Sequence, residues 1–324
     1  MASPSPSIHV IQNQPFLGFV LDLIQSRFES DRLLHILDIG CGVGHFTEIL
    51  GRELGARAQI VGIDPNADVV RQGMERIGKS DVKNVELKAF TIAEFDEGKK
   101  YDVVMFTKSL HHCVPLDESV SKAHYLLAPN GLFIAEELVR DVPVATSHWF
   151  FDRLELLFST GLLFSSSDIK IPHSNSHHGD NSNAHLHSHH GDTNTHVHSH
   201  HGETTGEQSH IPFAMLVDQK LSRSERRSML VDQKLSRSER WSKFFQHNPS
   251  LPVKEEIVAA ISKVFGNEKT KVSGNTFFYQ HFAVGLQDAP VGAQILSNLM
   301  SQELRAVEDG SIVQAGCNII AEKN

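Results

Sequence analysis

The stretch Leu37-Asp-Ile-Gly-Cys-Gly-Val-Gly44 decides how this chain is read. Apolar residues Leu33, Leu34 and Ile36 precede it and the helix-like run His45 to Leu54 follows, so it lies where a strand turns into a helix. Glycines at alternate positions, Gly40, Gly42 and Gly44, let the chain turn tightly and leave bare main chain for a ligand. Asp38 stands at the carboxyl end of the strand, where open α/β sheets bind their ligands. A dinucleotide fingerprint requires Gly-x-Gly-x-x-Gly, and its third glycine would fall on His45. A carboxylate beside the turn also suits a pyrophosphate poorly, because phosphate wants N–H donors and positive potential. It suits an ammonium well. The loop therefore reads as a site for a ligand that is cationic at one end.

The rest of such a site follows along the chain. Gln59-Ile-Val-Gly-Ile-Asp64 is a short apolar strand ending in an acid, at the distance downstream of the glycine turn where a carboxylate commonly grips ribose hydroxyls. Two further segments complete the pattern, Tyr101-Asp-Val-Val-Met-Phe106 and Leu126-Leu-Ala-Pro-Asn-Gly-Leu-Phe-Ile134. With Leu37–Gly44 and Val61-Gly-Ile-Asp-Pro-Asn66, these make residues 15–140 resemble a class I S-adenosylmethionine-dependent methyltransferase. The resemblance implies an α/β fold: a doubly wound, mostly parallel seven-stranded sheet of Rossmann-like type. It also implies S-adenosyl-L-methionine as cofactor and a small organic molecule as methyl acceptor.

Carried over by position, the resemblance places Asp38, Gly40 and Gly42, with Cys41 and Gly44 of the same turn, around the methionine part of the cofactor. Asp64 would bind the ribose and Pro65 would lie near the adenine. After the third strand the family often has an acid facing the adenine amine; here Thr91 and Ile92 occupy that region, and Thr107 ends the fourth strand. Cys41 reads as a small packing residue of the turn rather than a nucleophile. Beyond Thr107 come His111 and His112, His111 as a candidate general base and His112 as packing. No Asn-Pro-Pro-Tyr-like signature follows the fourth strand, where the chain has Phe106-Thr-Lys-Ser109, which argues against amide or exocyclic amine acceptors. Methylation on O, N or C of a small molecule remains.

Composition narrows the partners. The chain has 324 residues and a net charge of −9, which disfavours nucleic acid as the main partner because phosphate binding needs a basic face. The cysteines Cys41, Cys113 and Cys317 have no metal or redox spacing and point to a reducing compartment. The first residues, Met-Ala-Ser-Pro-Ser-Pro-Ser, lack an export signal, and no apolar run approaches a membrane span. The expectation is a soluble cytoplasmic protein that binds neither nucleic acid nor membrane.

Periodicity divides the chain further. Residues 1–14 read as disordered, with a first helix from Pro15 to Arg27. Helices at 45–54, 67–77 and 117–127 alternate with strands at 34–39, 59–63, 84–89, 101–106 and 131–136, so 15–140 is the cofactor-binding core. Gly274 to Leu286 reads as a closing antiparallel strand within 271–287, and 288–324 as a partly helical tail. Between them, 141–270 is an insertion far longer than a normal connection. Its flanks, 141–170 and 213–270, are helical and aromatic. They read either as a lid carrying Trp149, Phe150, Trp241 and His247 over the strand ends, with His148 near them, or as aromatics burying the insertion's own core.

The middle of the insertion, 171–212, is low complexity. His173 to His201 holds 11 of the 21 histidines, and Ser-His-His-Gly followed by an acid recurs at 176–180, 188–192 and 199–203. With almost nothing apolar the segment is expected to be disordered. Dense imidazole binds divalent metal adventitiously, but no fixed ligand spacing marks a metal site. Residues 215–228 are then repeated at 229–242 with one change, Arg227 becoming Trp241, and the interleaved acids make this a solvated helix face rather than a nucleic-acid contact. Two other readings stay open: a non-catalytic S-adenosylmethionine-binding protein, and a metal-handling protein using the histidine tract.

Overall fold

The computed structural model describes residues 7–163, 232, 234–246, 251–286 and 291–324. Strands β1 (Leu34–Ile39), β2 (Ala58–Asp64), β3 (Val85–Ala89), β4 (Tyr101–Thr107) and β5 (Leu127–Leu138) are parallel. Strands β6 (Thr270–Asn275) and β7 (Gly316–Glu322) complete a seven-stranded sheet of order β3-β2-β1-β4-β5-β7-β6, in which β7 runs antiparallel to both its neighbours. This is the doubly wound, mostly parallel sheet that the sequence implied. Its inner strands are short apolar runs such as Tyr101-Asp-Val-Val-Met-Phe, buried along nearly their whole length because helices cover both faces.

The helices are α1 (Ile8–Arg27), α2 (His45–Leu54), α3 (Ala67–Gly78), α4 (Leu116–Leu126), α5 (Val144–Ser159), α6 (Arg237–Gln246), α7 (Lys254–Phe265), α8 (Phe278–Leu286) and α9 (Gly292–Glu308). On one face α1 and α2 bury Phe16, Val20, Ile24, Phe46 and Leu50 against the inward side chains of β1, β2 and β4. On the other, α4 and α7 pack Val120, Ala123, Ile257 and Ile261 against Leu37, Val104 and Phe133. Residues α5, α8 and α9 contribute build a third apolar cluster centred on Phe150, Phe278 and Phe282.

The structure departs from expectation at both ends. Helix α1 begins at Ile8, not Pro15, with Ser7 as its cap and Pro15 inside it. A proline removes one N–H of the helical ladder, but Ile8 and Ile11 are buried against α8 and α9, and that tertiary contact holds the first turns in place. The segment expected to be the closing strand, Gly274 to Leu286, divides instead: β6 ends at Asn275 and α8 starts at Phe278. The tail is not peripheral either, since it carries α9 and then β7, the central antiparallel strand between β5 and β6.

The reason for the α8 helix lies outside its own segment. Glu303 of α9, 1% exposed, accepts hydrogen bonds from the backbone N–H groups of Phe277, Phe278 and Tyr279 at 2.6, 2.9 and 3.1 Å. Those are the amides a helix N-terminus leaves unpaired, and a carboxylate there also meets the positive end of the helix dipole. Burial raises the Glu303 pKa while the three amides pull it back down. Glu303→Ala leaves these donors unpaired, at about 1–3 kcal/mol for each amide that water does not reach. Urea denaturation is expected to show a loss of about 3 kcal/mol, and Glu303→Gln, which keeps an acceptor oxygen, less than half of it. An unchanged midpoint for Glu303→Ala would contradict this account of α8.

Candidate functional site

The glycine loop links β1 to α2 and crosses the carboxyl edge of the sheet. All its glycines take left-handed backbone, with φ of 74° at Gly40, 56° at Gly42 and 72° at Gly44. The N–H groups of Gly40 and Cys41 both donate to Ile63 O, at 2.7 and 3.0 Å, which ties the loop to the end of β2. A Cβ on Gly40 would lie 2.5 Å from the Ser109 Cβ, whereas one on Gly42 would meet nothing within 4 Å. Gly40 is thus demanded by packing against the β4 loop. Gly42 faces open space, as bare main chain does where a ligand approaches.

Asp38 is the charged centre of this edge. It is 1% exposed, and its Oδ2 accepts a hydrogen bond of 2.7 Å from the Thr47 hydroxyl of α2. Its Oδ1 has no partner among the described residues. Burial raises its pKa to about 6, against the opposing effects of the Thr47 hydrogen bond and the Lys108 charge. A buried carboxylate with one unpaired oxygen, near a glycine that faces open space, is chemically fitted to a ligand ammonium. Asp64, at the end of β2, accepts from Gly42 N through Oδ2 and from Asn66 N through Oδ1, both at 2.9 Å. Its carboxylate is thereby fixed beside the loop with further lone pairs to offer. Pro65 next to it is exposed.

Past β3, Thr91 and Glu94 cap one turn: the Thr91 hydroxyl donates to Glu94 Oε2 at 2.7 Å and the Glu94 N–H reaches back to it at 3.3 Å. Ile92 turns into the core with Phe95. Thr107 sits at the end of β4 with its hydroxyl buried and, among the described residues, without a partner. Cys41 keeps its thiol against Gly42 O, and burial pushes that thiol strongly upward, as befits packing rather than a nucleophile.

The β4 loop contributes groups that the sequence alone did not single out. Lys108 is in left-handed conformation at φ 60°; its N–H donates to Glu136 O at 2.9 Å and its ammonium lies 3.2 Å from Glu136 Oε2. Glu136 is fully buried, and burial raises its pKa while Lys108 opposes the rise. The neighbouring Glu137 accepts from Leu110 N at 2.9 Å and His111 N at 3.3 Å through Oε1, while its Oε2 lies 2.5 Å from His111 Nδ1. A carboxylate accepts only, so Nδ1 carries the proton and Nε2 of a neutral His111 is left with its lone pair. His112 stacks obliquely on His111, with ring centres 4.0 Å apart. The signal for these roles was the pair of acids Glu136-Glu137 closing the apolar run of β5, which charge patterning could have flagged.

Of the residues expected either to form a lid or to bury the insertion's own core, Trp149, Phe150 and Trp241 lie together in one aromatic cluster. Phe150 is fully buried and contacts Trp241, Phe278 and Phe282 with ring centres 5.1–5.7 Å apart. Trp149 stacks on Phe278 at 6.0 Å, and Trp241 Nε1 donates to Arg140 O at 3.2 Å. Arg237 and Arg240 hold α6 to Glu155 of α5 at 2.7 and 2.5 Å. The second copy of the repeat thus docks its own Trp241 into the aromatic cluster, at the position where the first copy has Arg227. His247, the first copy and the histidine tract lie outside the described residues. Among the described residues no group of three or more His, Cys, Asp or Glu could hold a metal ion, and no helix is long and apolar enough to cross a membrane.

Residues 30–168 match the family model of a methyltransferase domain. The chain is 30% identical over 132 residues to the ubiquinone biosynthesis O-methyltransferase of Bradyrhizobium diazoefficiens, covering 39% of this chain and 51% of that protein. It is 32% identical over 143 residues to the protein of that name from Azorhizobium caulinodans, covering 42% and 54%. The chain therefore spans about half the length of the curated relatives it matches. Among solved structures it is similar to the plantazolicin methyltransferase BpumL in complex with SAH, at 14% identity and a TM-score of 0.45, covering 98% of this chain and 84% of that one.

Proposed function

We propose that this chain, whose residues 30–168 match the model of a methyltransferase domain, is a class I S-adenosylmethionine-dependent enzyme that methylates an oxygen atom of a small organic acceptor with His111 as general base. The observation that carries the choice of oxygen is the His111–Glu137 contact, 2.5 Å from Nδ1 to Oε2, at the carboxyl ends of β4 and β5. A hydroxyl must lose a proton to become a nucleophile, and a neutral imidazole whose far nitrogen is held by a carboxylate is built to take it. The names of the curated relatives, O-methyltransferases, are in keeping with this.

The residues divide the work. Asp38 Oδ1 receives the cofactor's ammonium, the Gly40–Gly44 turn lets the ligand lie against main chain, and Asp64 takes the ribose hydroxyls. When bound, S-adenosylmethionine supplies a methyl group on a positively charged sulfur that leaves neutral. His111 Nε2 accepts the acceptor's proton, and Glu137 stabilises the imidazolium that results. Much of the remaining contribution is alignment of two reactants in one crevice, which is worth on the order of 7–11 kcal/mol when complete. The α5, α6 and α8 aromatics wall the acceptor side, with the half-buried Trp149 and Trp241 as its apolar lining and the fully buried Phe150 packed behind them. Cys41, Cys113 and Cys317 are all unpaired, which accords with a reducing, cytoplasmic setting.

The cofactor half of the reading is tested by Asp64→Ala. Removing hydrogen bonds to a charged, part-buried carboxylate is expected to weaken binding of S-adenosylhomocysteine by about 1–3 kcal/mol. Titration calorimetry giving wild-type affinity would remove Asp64 from the site. The acceptor half is tested by supplying methyl-labelled cofactor with a small-molecule extract and locating the label; label on nitrogen or carbon would overturn the choice of oxygen.

A further inference from the structure

Lys108 has a conformation and a neighbourhood that methyl transfer by the groups above does not require. A non-glycine residue at φ 60° is uncommon, and strain of this kind persists where surrounding structure enforces it, most often at functional sites. Here the enforcement is visible. The Lys108 N–H is bonded to Glu136 O, and its ammonium is drawn to the carboxylate of the same residue. Glu136 is fully buried, while the Lys108 side chain is 25% exposed, so the pair joins the protein interior to the surface of the β4 loop.

Two more observations fix what lies around it. The Lys108 charge is felt at Asp38, where it opposes the rise in that carboxylate's pKa. On the other side, Lys108 and His111 are three residues apart on the same turn, and adjacent residues of β5, Glu136 and Glu137, hold them. An ammonium has three N–H donors, and among the described residues only the Glu136 carboxylate pairs with it. Its remaining donors have no partner among the described residues.

We propose that Lys108 is the cation that binds the acceptor's ionising oxygen while His111 removes its proton, and that Glu136 is the positioning residue that aims Lys108. The inference rests on the oxygen-methylation reading. The acceptor it implies has an acidic hydroxyl, such as a phenol or an enol, because a fixed positive charge favours the oxyanion of a group that is already prone to ionise. The proton goes to His111 Nε2, and the oxygen's lone pair, held beside the ammonium, is left free to form the new bond to carbon. A purely structural Lys108, present only to neutralise Glu136, would make no such demand on the acceptor.

The experiment uses the full chain saturated with S-adenosylhomocysteine and 4-nitrophenol as a coloured acidic hydroxyl. A cation within reach of the oxygen lowers a phenol's pKa by about one unit or more, so the wild type is expected to shift the dye's titration downward by that amount. Lys108→Asn is the informative variant, since asparagine tolerates left-handed backbone; it should abolish the shift, and Lys108→Arg should retain it. An unshifted dye in the wild type, or a shift that survives in Lys108→Asn, overturns the proposal. Calorimetry on the same variants separates it from the underlying reading. Measured at about pH 8, above the range in which Asp38 takes up a proton, Lys108→Asn should bind S-adenosylhomocysteine within a few-fold of the wild type, because the Lys108 charge serves the acceptor and not the cofactor. A tenfold weaker complex would instead place Lys108 on the cofactor and refute its role at the acceptor. A wild type that binds no S-adenosylhomocysteine at all brings down the cofactor reading itself, and this proposal with it.

Discussion

His111→Ala is expected to lower kcat by about 10²–10⁴-fold, the range a positioned general base contributes, while leaving the affinity for S-adenosylhomocysteine within a few-fold of the wild type. The separation follows from the layout of the edge. His111 is anchored by Glu137 at the end of β5, whereas Asp38 and Asp64, the groups proposed to hold the cofactor, end β1 and β2. Glu137→Gln should lower kcat by a smaller factor, because the amide presents an oxygen to Nδ1–H but no charge to stabilise the imidazolium. The leucine and histidine amides that Glu137 also holds make a modest loss of stability part of the same result. Equal kcat in wild type and His111→Ala would mean that the acceptor arrives already ionised or that another group takes the proton.

Asp38→Asn should make the free protein more stable and ruin its cofactor site. In the folded protein the Asp38 pKa is raised to about 6 from 3.8. The folded state therefore binds the proton more tightly than the unfolded chain does, and its stability declines as pH rises from about 4 to about 6, remaining lower above that. At neutral pH the ionised carboxylate costs about 1–3 kcal/mol. Asparagine removes that cost while still accepting from the Thr47 hydroxyl, so thermal denaturation without ligand should shift upward. The same variant offers no charge to an ammonium, and truncating one partner of a buried charge pair typically loses about 2–5 kcal/mol of binding. In the wild type, protons compete for Asp38, so affinity for S-adenosylhomocysteine should fall as pH drops below about 6. A variant that is less stable yet binds normally would contradict the assignment on both counts.

The parts of this protein that were legible in its sequence are those encoded locally. Strands β1, β2 and β4 are apolar runs, each followed by turn chemistry, and helix α2 starts where the glycine loop ends. Asp38, the glycines and Asp64 were readable as a candidate site because a ligand-binding turn needs those residue types at that spacing, and the structure brings them together at one edge of the sheet. What escaped was set by contacts distant in sequence. The aromatic run Phe277 to Leu286 has the β-branched and aromatic content of a strand, yet Glu303, on the following helix, caps it as a helix. The strand Gly316–Glu322 finds its place only when β5 and β6 are present on either side. At the site, Lys108 and Glu136 acquire meaning from strand register: Thr107 faces Glu136 across β4 and β5, which brings the next residue over the carboxylate. The sequence pointed to His111 by its place after the fourth strand, and the Glu137 contact adds the partner that the sequence did not pair with it.

The most direct measurement is a crystal structure of the full chain with S-adenosylhomocysteine. The account predicts the ligand's ammonium on Asp38 Oδ1, its ribose hydroxyls on Asp64, main chain of Gly40–Gly44 against it, and its sulfur turned toward the His111 side of the edge. A ligand seated elsewhere, or a crevice in which Asp38 and Asp64 touch nothing of it, would contradict the central claim.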